Sequence, residues 1–134
     1  MAVNISVVEI QDWQNLKSDL LRERARRSAG GWAHFFIAHV GSEEAGILVL
    51  DILDRPPRAS IHEIFVLSEY RLRGVGGTLL MHAVDVAKFK LLPTLDLEVF
   101  PLDTATSREF LTQWYFRSGF DAEQGCARRM VRTL

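Results

Sequence analysis

The sequence predicts one mixed α/β (α+β) domain in which helices cover both faces of a mostly antiparallel sheet. Two observations lead to this prediction. Three apolar, β-branched runs follow one another with short connections, as antiparallel hairpins do, and later apolar runs alternate with segments of helical periodicity, as crossover units do. A chain of 134 residues has the usual length of one domain, so positions 1–134 are assigned to a single unit.

Six apolar segments have the composition of strands. They are Ala2–Ile10, Trp32–Val40, Ala45–Leu53, Ser60–Leu67, Leu95–Phe100 and Cys126–Leu134. The third is nearly all apolar, which is typical of a strand that is buried on both faces of a sheet. The break before the fourth, "DRPPRAS" (Asp54–Ser60), is short enough to be a hairpin loop. The second, third and fourth strands are therefore expected to form antiparallel hairpins.

The first predicted helix follows Asp12, whose side chain is a good N-cap. The next apolar residues fall at spacings of three, four and one, which is helical periodicity. These residues are Trp13, Leu16, Leu20 and Leu21. Gly30 and Gly31 should end the helix, because glycine favours the backbone conformation that terminates one.

Two further helices follow the hairpins. The segment Gly76–Lys90 has an apolar stripe with a repeat of 3.6 residues. The apolar residues of the third helix are Phe110, Leu111, Trp114 and Tyr115. Thr106 or Ser107 is its expected cap, with Glu109 nearby, and Gly119 is its expected end. The predicted element order is β-α-β-β-β-α-β-α-β.

The composition excludes several classes of protein. Apolar residues make up 48% of the chain and the formal net charge is −1, so neither general disorder nor a strong attraction to nucleic acid is expected. The arginines within positions 22–27 and 128–132 form two local clusters, which we interpret as a solvated helix face and a strand edge.

The single cysteine and the absence of targeting segments bound the cellular setting. Cys126 excludes an intramolecular disulfide, and no metal-ligand spacing is present. No apolar run approaches the roughly 20 residues that span a bilayer, and the N-terminus lacks a signal-peptide pattern. We therefore expect a cytoplasmic protein that binds neither membranes nor nucleic acid.

The stretch "YRLRGVGGT" (Tyr70–Thr78) places three glycines where a strand gives way to a helix, although glycine inside a helix costs roughly 0.5–1 kcal/mol. The start of a helix binds anions through free N–H groups and the helix dipole, and bare glycines leave those groups accessible. Arg71 and Arg73 add positive charge. The stretch therefore predicts a phosphate-bearing ligand, although neither the P-loop nor the dinucleotide-binding spacing is present. The alternative is a glycine-rich helix start without a ligand.

Two motifs make the sequence recognisable. Arg71-x-x-Gly74-x-Gly76 matches the [RQ]-x-x-G-x-[GA] signature of the GNAT acyltransferase superfamily. Downstream, "WYFRSGF" resembles the family's Y-x-x-x-G-F pattern, with Tyr115, Gly119 and Phe120 in the matching places. The predicted element order also agrees with the family's fold. The resemblance covers most of the chain, from about Val3 to Leu134.

This resemblance implies that acetyl-CoA or another acyl-CoA lies in a V-shaped opening between the strand that ends at Leu67 and the strand Leu95–Phe100. It implies that the backbone of Phe65, Val66 and Leu67 hydrogen-bonds to the pantetheine arm. The amides expected to hold the pyrophosphate are those of Arg71, Leu72, Arg73, Gly74, Val75, Gly76, Gly77 and Thr78. Members of the family transfer the acyl group directly to an amine, without a covalent enzyme intermediate.

Transfer to an amine requires a base, because a protonated amine cannot attack a thioester. Glu63 is the leading candidate, since it lies on the strand that lines the expected opening, and Glu98 or Asp96 are the alternatives. Tyr115 is the candidate acid for the departing thiolate because of its place in the motif. The competing interpretations are a solvent-facing Glu63 and a core aromatic Tyr115. His62 should point to the face opposite Glu63, because neighbouring strand residues alternate.

The sequence departs from the family at two places. Arg108 stands where many members have an asparagine that helps to bind CoA. The N-terminal region has one clear helix where the family usually has two, so the acceptor pocket is expected to be open or to be completed by a second copy in a homodimer. The expected acceptor is a primary amine on a small molecule or a peptide, and carboxylates near the cleft would favour a cationic one. The alternative function is an acyl-CoA-binding module without catalysis.

Overall fold

The computed structural model describes residues 4–99, 107–123 and 128–134. The strands in these residues are β1 (Ile5–Ile10), β2 (Ala33–Val40), β3 (Glu43–Asp54), β4 (Pro57–Val66), β5 (Thr94–Glu98), β6 (Asp121–Ala122) and β7 (Arg129–Thr133). The α-helices are α1 (Asp19–Ser28), α2 (Val75–Phe89) and α3 (Arg108–Arg117). None of the helices in the described part of the chain is long and apolar enough to cross a membrane.

The strands form one sheet in the order β1-β2-β3-β4-β5-β7-β6. Every neighbouring pair is antiparallel except β4 and β5, which are parallel because α2 crosses over between them. The mixed, mostly antiparallel sheet is therefore confirmed. The two-residue strand β6 was not predicted, because so short a segment carries no periodicity. The other expected elements are present, with boundaries shifted by a few residues.

The helices cover both faces of the sheet, as predicted. Helix α1 packs Leu21 and Ala25 on one face, against side chains that include Ile37, Ile47 and Phe65. Helices α2 and α3 pack on the other face, over side chains of β2 to β5 and β7. Strand β3 lies between these layers, and its segment Ala45–Leu50 is buried throughout. Its nearly continuous apolar sequence follows from this two-sided burial.

The first helix begins later than predicted. Asp12 does cap a helical turn, since its Oδ1 accepts from Gln14 N–H at 2.9 Å, but that turn is a short 3-10 helix that ends at Asn15. Ser18 caps α1 instead, through the Leu21 N–H at 3.3 Å. The displacement has a tertiary cause, because the carboxylate of Glu44, in the β2–β3 hairpin, accepts from the Lys17 and Ser18 N–H groups at 3.0 and 2.7 Å.

The end of the chain agrees with the predicted caps where it is described. Ser107 Oγ accepts from Phe110 N–H at 3.1 Å and caps α3, and Gly119 follows this helix with a φ of 96°. The other candidate cap, Thr106, lies outside the described residues. So do Phe100 at the predicted end of a strand and the single cysteine, Cys126.

Strands β4 and β5 separate after a short region of pairing. Their register joins Ala59 to Leu95, Ser60 to Asp96 and Ile61 to Leu97. At the same point β4 contains a bulge against β3, because Val49 pairs with Glu63 while Leu50 pairs with Ile61. His62 is the extra residue. The bulge and the separation open the sheet where the V-shaped cleft was expected.

Gly46 of β3 lies where α2 approaches the sheet most closely. A Cβ added there would lie 2.9 Å from the Phe65 carbonyl oxygen and 3.2 Å from Leu79 Cδ1. Because the carbonyl belongs to the backbone and cannot move freely, Gly46→Ala is expected to lower the free energy of unfolding by about 1–3 kcal/mol in urea titrations. Gly30→Ala is the control, since a Cβ there meets no atom within 4 Å. Equal stability of Gly46→Ala and the wild type would contradict this account.

Candidate active site

A cavity of about 760 Å³ occupies the opening between β4 and β5. Its lining comes from α1, the bulged half of β4, the residues that lead into α2, the end of β5 and one face of α3. From the glycine stretch, Arg71, Leu72 and Gly76 line this cavity, whereas Gly74, Gly77 and Thr78 line a separate depression beside the start of α2. The cavity thus brings part of the predicted anion-binding stretch together with a set of charged side chains.

The chain turns sharply between β4 and α2. Leu72 and Gly74 have positive φ angles of 63° and 86°, and Gly74 is the N-cap of α2. Thr78 closes the first turn of the helix, since its N–H and its Oγ1 both donate to the Gly74 carbonyl, at 3.0 and 2.9 Å. A left-handed conformation costs a residue with a side chain roughly 1–2 kcal/mol. The positive φ angle therefore explains why residue 74 is a glycine, whereas Leu72 is held in a strained conformation.

The turn leaves a run of amides without acceptors. Within the described residues, the Arg71 N–H donates to Ser68 O at 3.4 Å and the Thr78 N–H is used as above, while no acceptor is recorded for the N–H groups of 72–77. These groups lie at the positive end of the α2 dipole. An anion could therefore be held by the backbone of 72–77, a narrower range than predicted, because the amides of Arg71 and Thr78 are already in use.

Different features of the structure explain the glycines at positions 74, 76 and 77. Gly74 is required by its φ angle, and Gly76 lies under α3, where a Cβ would be 3.7 Å from the Trp114 ring and from Val66 Cγ2. A Cβ on Gly77 would meet no atom within 4 Å, and Gly77 has no positive φ. Neither packing nor backbone geometry in the described structure requires glycine at 77. A ligand against this backbone would explain it.

The peptide groups of β4 alternate between β3 and the cleft. Leu67 N–H donates to Ala45 O at 2.8 Å, so the backbone N–H and C=O groups of Leu67 face β3, and by alternation those of Phe65 do the same. Those of Ile64 and Val66 face the cleft, and Val66 O accepts there from Arg71 Nε at 3.2 Å. Backbone binding of the pantetheine arm by Phe65, Val66 and Leu67 stays a prediction, but of these three only Val66 turns its N–H and C=O groups to the cleft, together with Ile64. The sequence missed Ile64 because the alternation depends on the strand register.

Glu63 lies at the bulge of β4, with its side chain only 10% exposed. Its Oε1 accepts from Arg24 Nη1 at 3.3 Å, and its Oε2 is buried with no hydrogen-bond partner in the described structure. Burial raises the pKa of Glu63, and the charges of Arg24 and His62 oppose that shift only in part. The structure thus places at the cavity wall a carboxylate that binds a proton more readily than an ordinary glutamate does.

Strand alternation predicted that His62 points to the face opposite Glu63, and the structure differs from this prediction. Its Nδ1 lies 3.2 Å from Oδ2 of Asp51, a β3 residue on the same face of the sheet as Val49, which packs beneath α1. The bulge interrupts the alternation, so His62 and Glu63 both project toward the α1 face.

Tyr115 lies on the buried side of α3 and also lines the cavity. Its ring packs 4.9 Å from that of Trp114 and 5.8 Å from that of Phe120, measured between ring centres. Burial raises the pKa of its hydroxyl to about 12. The side chain is therefore a core aromatic that also lines the cavity, and its role as an acid stays a prediction.

The two alternative carboxylates are in different situations. Asp96 is buried and does not line the cavity; it accepts from Ser60 Oγ at 2.7 Å and forms ion pairs with Arg58 at 3.2 Å and with Arg129. Because Asp96 lies outside the cavity and both its oxygens are bonded to other side chains, it is set aside as the base. Glu98 is exposed and lines the cavity, so it remains an alternative to Glu63.

Arg24 is the site residue that sequence reasoning missed. The arginine cluster of 22–27 was interpreted as a solvated helix face, yet the Arg24 side chain is 19% exposed and lines the cavity. Arg26 and Arg27 are exposed as predicted, with side chains 58% and 65% exposed and bonded to Glu23, although Arg27 also lines the cavity. The available signal was its position three residues after Leu21 and one before Ala25, at the edge of the apolar stripe.

Comparisons with known proteins bear on the family and the fold of this chain. The sequence model of the acetyltransferase (GNAT) family matches residues 5–120. The ribosomal-protein-S18-alanine N-acetyltransferase from Escherichia coli is similar in structure, with a TM-score of 0.71, 16% identity and coverage of 97% of this chain and 94% of that one. The PaiA N-acetyltransferase from Thermoplasma acidophilum, solved in complex with coenzyme A, has a TM-score of 0.67, 17% identity and coverage of 98% and 99%.

A GNAT-family acetyltransferase from Staphylococcus aureus Mu50 has a TM-score of 0.64 and 18% identity, with coverage of 98% of this chain and 99% of that one. At these identities the structural likeness shows a shared fold. No curated protein sequence matches the chain.

Proposed function

The chain belongs to the acetyltransferase (GNAT) family, and from this premise we propose that it transfers an acetyl group from acetyl-CoA to a primary amine. One observation carries the proposal. One cavity reaches from Leu72 and Gly76, which belong to a run of amides without recorded acceptors at the start of α2, to Glu63, a buried carboxylate with one oxygen unbonded. The first feature suits a diphosphate, and the second suits the removal of a proton from an ammonium group.

Acetyl-CoA would enter with its diphosphate on the N–H groups of 72–77. The positive end of α2 and the side chains of Arg71 and Arg73 would balance its charge. The pantetheine arm would then pair with the cleft-facing peptides of Ile64 and Val66, which β5 leaves open beyond Ile61. This path ends at the bulge of β4, so the thioester would lie beside Glu63. The coenzyme A complex of the structural neighbour supports this choice of ligand.

Glu63 would act as the base. The acceptor enters as an ammonium and loses one proton to Glu63, directly or through a water molecule, which frees the nitrogen lone pair. The nitrogen bonds to the thioester carbonyl carbon, and the C–S bond breaks as the tetrahedral intermediate collapses. The nitrogen loses a second proton at this stage and the sulfur gains one, so the products are an amide, the CoA thiol and the proton held by Glu63.

Tyr115 would stabilise the departing sulfur. A thiol has a pKa of about 8–9, whereas burial raises the pKa of Tyr115 to about 12. Complete transfer of the phenol proton to the thiolate is then uphill by roughly 3 pKa units, or about 4 kcal/mol. We therefore assign Tyr115 as an acid that acts by donating a hydrogen bond to the sulfur, while the proton lost by the nitrogen reaches the thiol through solvent.

Two measurements test the proposal. Coenzyme A at about 100 times its Kd should stabilise the folded protein by roughly 2.7 kcal/mol, which appears as an increase in Tm. Acetyl-CoA should then release free thiol in the presence of an accepted amine, in a screen of an amine library. The absence of any Tm shift at millimolar coenzyme A would refute coenzyme A binding. A shift without thiol release for any amine would identify an acyl-CoA-binding module without catalysis.

A further inference from the structure

The α1 side of the cavity carries a charged pair that is largely removed from water. Arg24 Nη1 donates to Glu63 Oε1 at 3.3 Å, and the two side chains are 19% and 10% exposed. Removal of two charges from water is costly, and their mutual attraction offsets that cost only when the remaining donors and acceptors also find partners. The donors and acceptors that remain on both side chains therefore indicate what the pair can bind.

Both members of the pair have hydrogen-bonding capacity that no described residue uses. No described residue donates to Glu63 Oε2, which is buried. Arg24 carries a planar fork of N–H donors, and the one acceptor recorded for it in the described structure is Glu63 Oε1. The guanidinium carbon lies 4.5 Å from the centre of the Phe65 ring, and this stacking holds the fork in place. A buried acceptor without a described donor and a fork of donors with one described acceptor thus lie side by side at the cavity wall.

An amine with a neighbouring carboxylate would satisfy both groups at once. Its ammonium can donate to Glu63 Oε2, and its carboxylate can accept paired N–H bonds from the Arg24 fork. On the basis of the acetyl transfer proposed above, we infer that the acceptor is a zwitterion, a free amino acid or a related amine whose carboxylate is bound by Arg24. Arg24 is then a residue that determines acceptor specificity.

The other charges of the cavity favour the same class. Three arginines, Arg24, Arg27 and Arg71, line it, against two carboxylates, Glu63 and Glu98. Asp96, which was expected to add negative charge, is bound elsewhere by Arg58 and Arg129. A purely cationic acceptor would meet Arg24 directly beside the base, and like charges at such distances repel. The expectation of a cationic acceptor is therefore replaced by that of a zwitterion.

The test compares free amino acids with their carboxamides, which keep the amine and the side chain but lack the negative charge. Thiol release from acetyl-CoA should give at least one amino acid a kcat/KM roughly 10- to 100-fold above that of its carboxamide. Arg24→Gln should lower the rate for the amino acid much more than that for the carboxamide, and Arg24→Lys should retain part of the preference. Arg26→Gln is the matched control, because Arg26 is exposed on the same helix and does not line the cavity.

A Tm shift of the coenzyme A complex on addition of each acceptor gives a readout that does not depend on turnover. Equal rates and equal shifts within every amino acid–carboxamide pair would overturn the inference and leave acetyl transfer intact. If Arg24→Gln lowers the rates for an amino acid and for its carboxamide by the same factor, the inference is also overturned, since Arg24 would then act only through Glu63. If no amino acid responds in either assay, the inference fails, and the Tm shift with coenzyme A alone decides separately on the proposed function.

Discussion

Glu63→Gln is expected to lower kcat for acetyl transfer by roughly 100-fold or more, the usual contribution of a positioned general base. Glutamine has the size of glutamate and keeps an oxygen for the Arg24 hydrogen bond, so the wall of the cavity should persist. It cannot take a proton from the ammonium. Glu63 lies away from the amides of 72–77, so the Tm shift produced by coenzyme A should equal that of the wild type. Thiol release and thermal unfolding measure the two quantities on the same samples.

Glu98→Gln is the matched control, because Glu98 also lines the cavity but is exposed. A large loss in Glu98→Gln with nearly full activity in Glu63→Gln would reverse the assignment of the base. The pH profile offers a second check. Burial raises the pKa of Glu63, so the active, deprotonated form is lost as the pH falls through a value above the ordinary glutamate pKa of about 4.3. That acid limb of kcat should disappear in Glu63→Gln.

The glycine stretch could be predicted from the sequence because its chemistry is local. Three glycines, two arginines and the change of period from strand to helix all fall within a few positions of Gly74. The prediction that this backbone suits an anion follows from those positions without knowledge of the rest of the fold. Which of its amides are free depends on hydrogen bonds that the sequence does not show. The Thr78 amide bonds to Gly74 O within the first helical turn, and such a bond is settled by the residue at which the helix begins.

The role of Arg24 could not be predicted, because it depends on a contact between distant parts of the chain. Glu44 binds the Lys17 and Ser18 amides, and α1 therefore begins at Asp19 rather than after Asp12. That start fixes which arginine of the cluster turns toward β4. Local periodicity describes a helix face well, but it does not say what that face will meet.

The bulge of β4 limited the prediction of the opposite wall. Alternation along a regular strand places His62 and Glu63 on opposite faces, and one inserted residue removes that rule. The position of Asp96 outside the cavity also follows from the arrangement of the strands. Its partners Arg58 and Arg129 lie on two other strands and join it only through the sheet order. Sheet register, rather than residue type, decided which carboxylate reached the cavity.

Gly77→Glu is expected to stabilise the free protein and to weaken coenzyme A binding at the same time. Residue 77 is the third residue of α2, and glutamate there replaces a poor helix former and complements the helix dipole, for a gain of about 1 kcal/mol. The same carboxylate would lie beside the proposed diphosphate. At an effective dielectric constant of about 20, a like charge roughly 5 Å away costs about 3 kcal/mol, so affinity should fall on the order of 100-fold. Thermal unfolding with and without coenzyme A measures both effects.

Two control variants separate the causes of these effects. Gly77→Ala adds a Cβ that meets no atom within 4 Å, so it should stabilise the free protein without repelling the ligand by charge. Phe89→Glu adds the same charge at the far end of α2, on a side chain that is 87% exposed, and should leave coenzyme A binding unchanged. If Gly77→Glu binds coenzyme A as tightly as Gly77→Ala does, the diphosphate does not lie on the amides of 72–77. If only Gly77→Glu, and neither control, binds coenzyme A weakly, ligand binding explains the glycine at position 77, where almost any other residue would make the folded protein more stable.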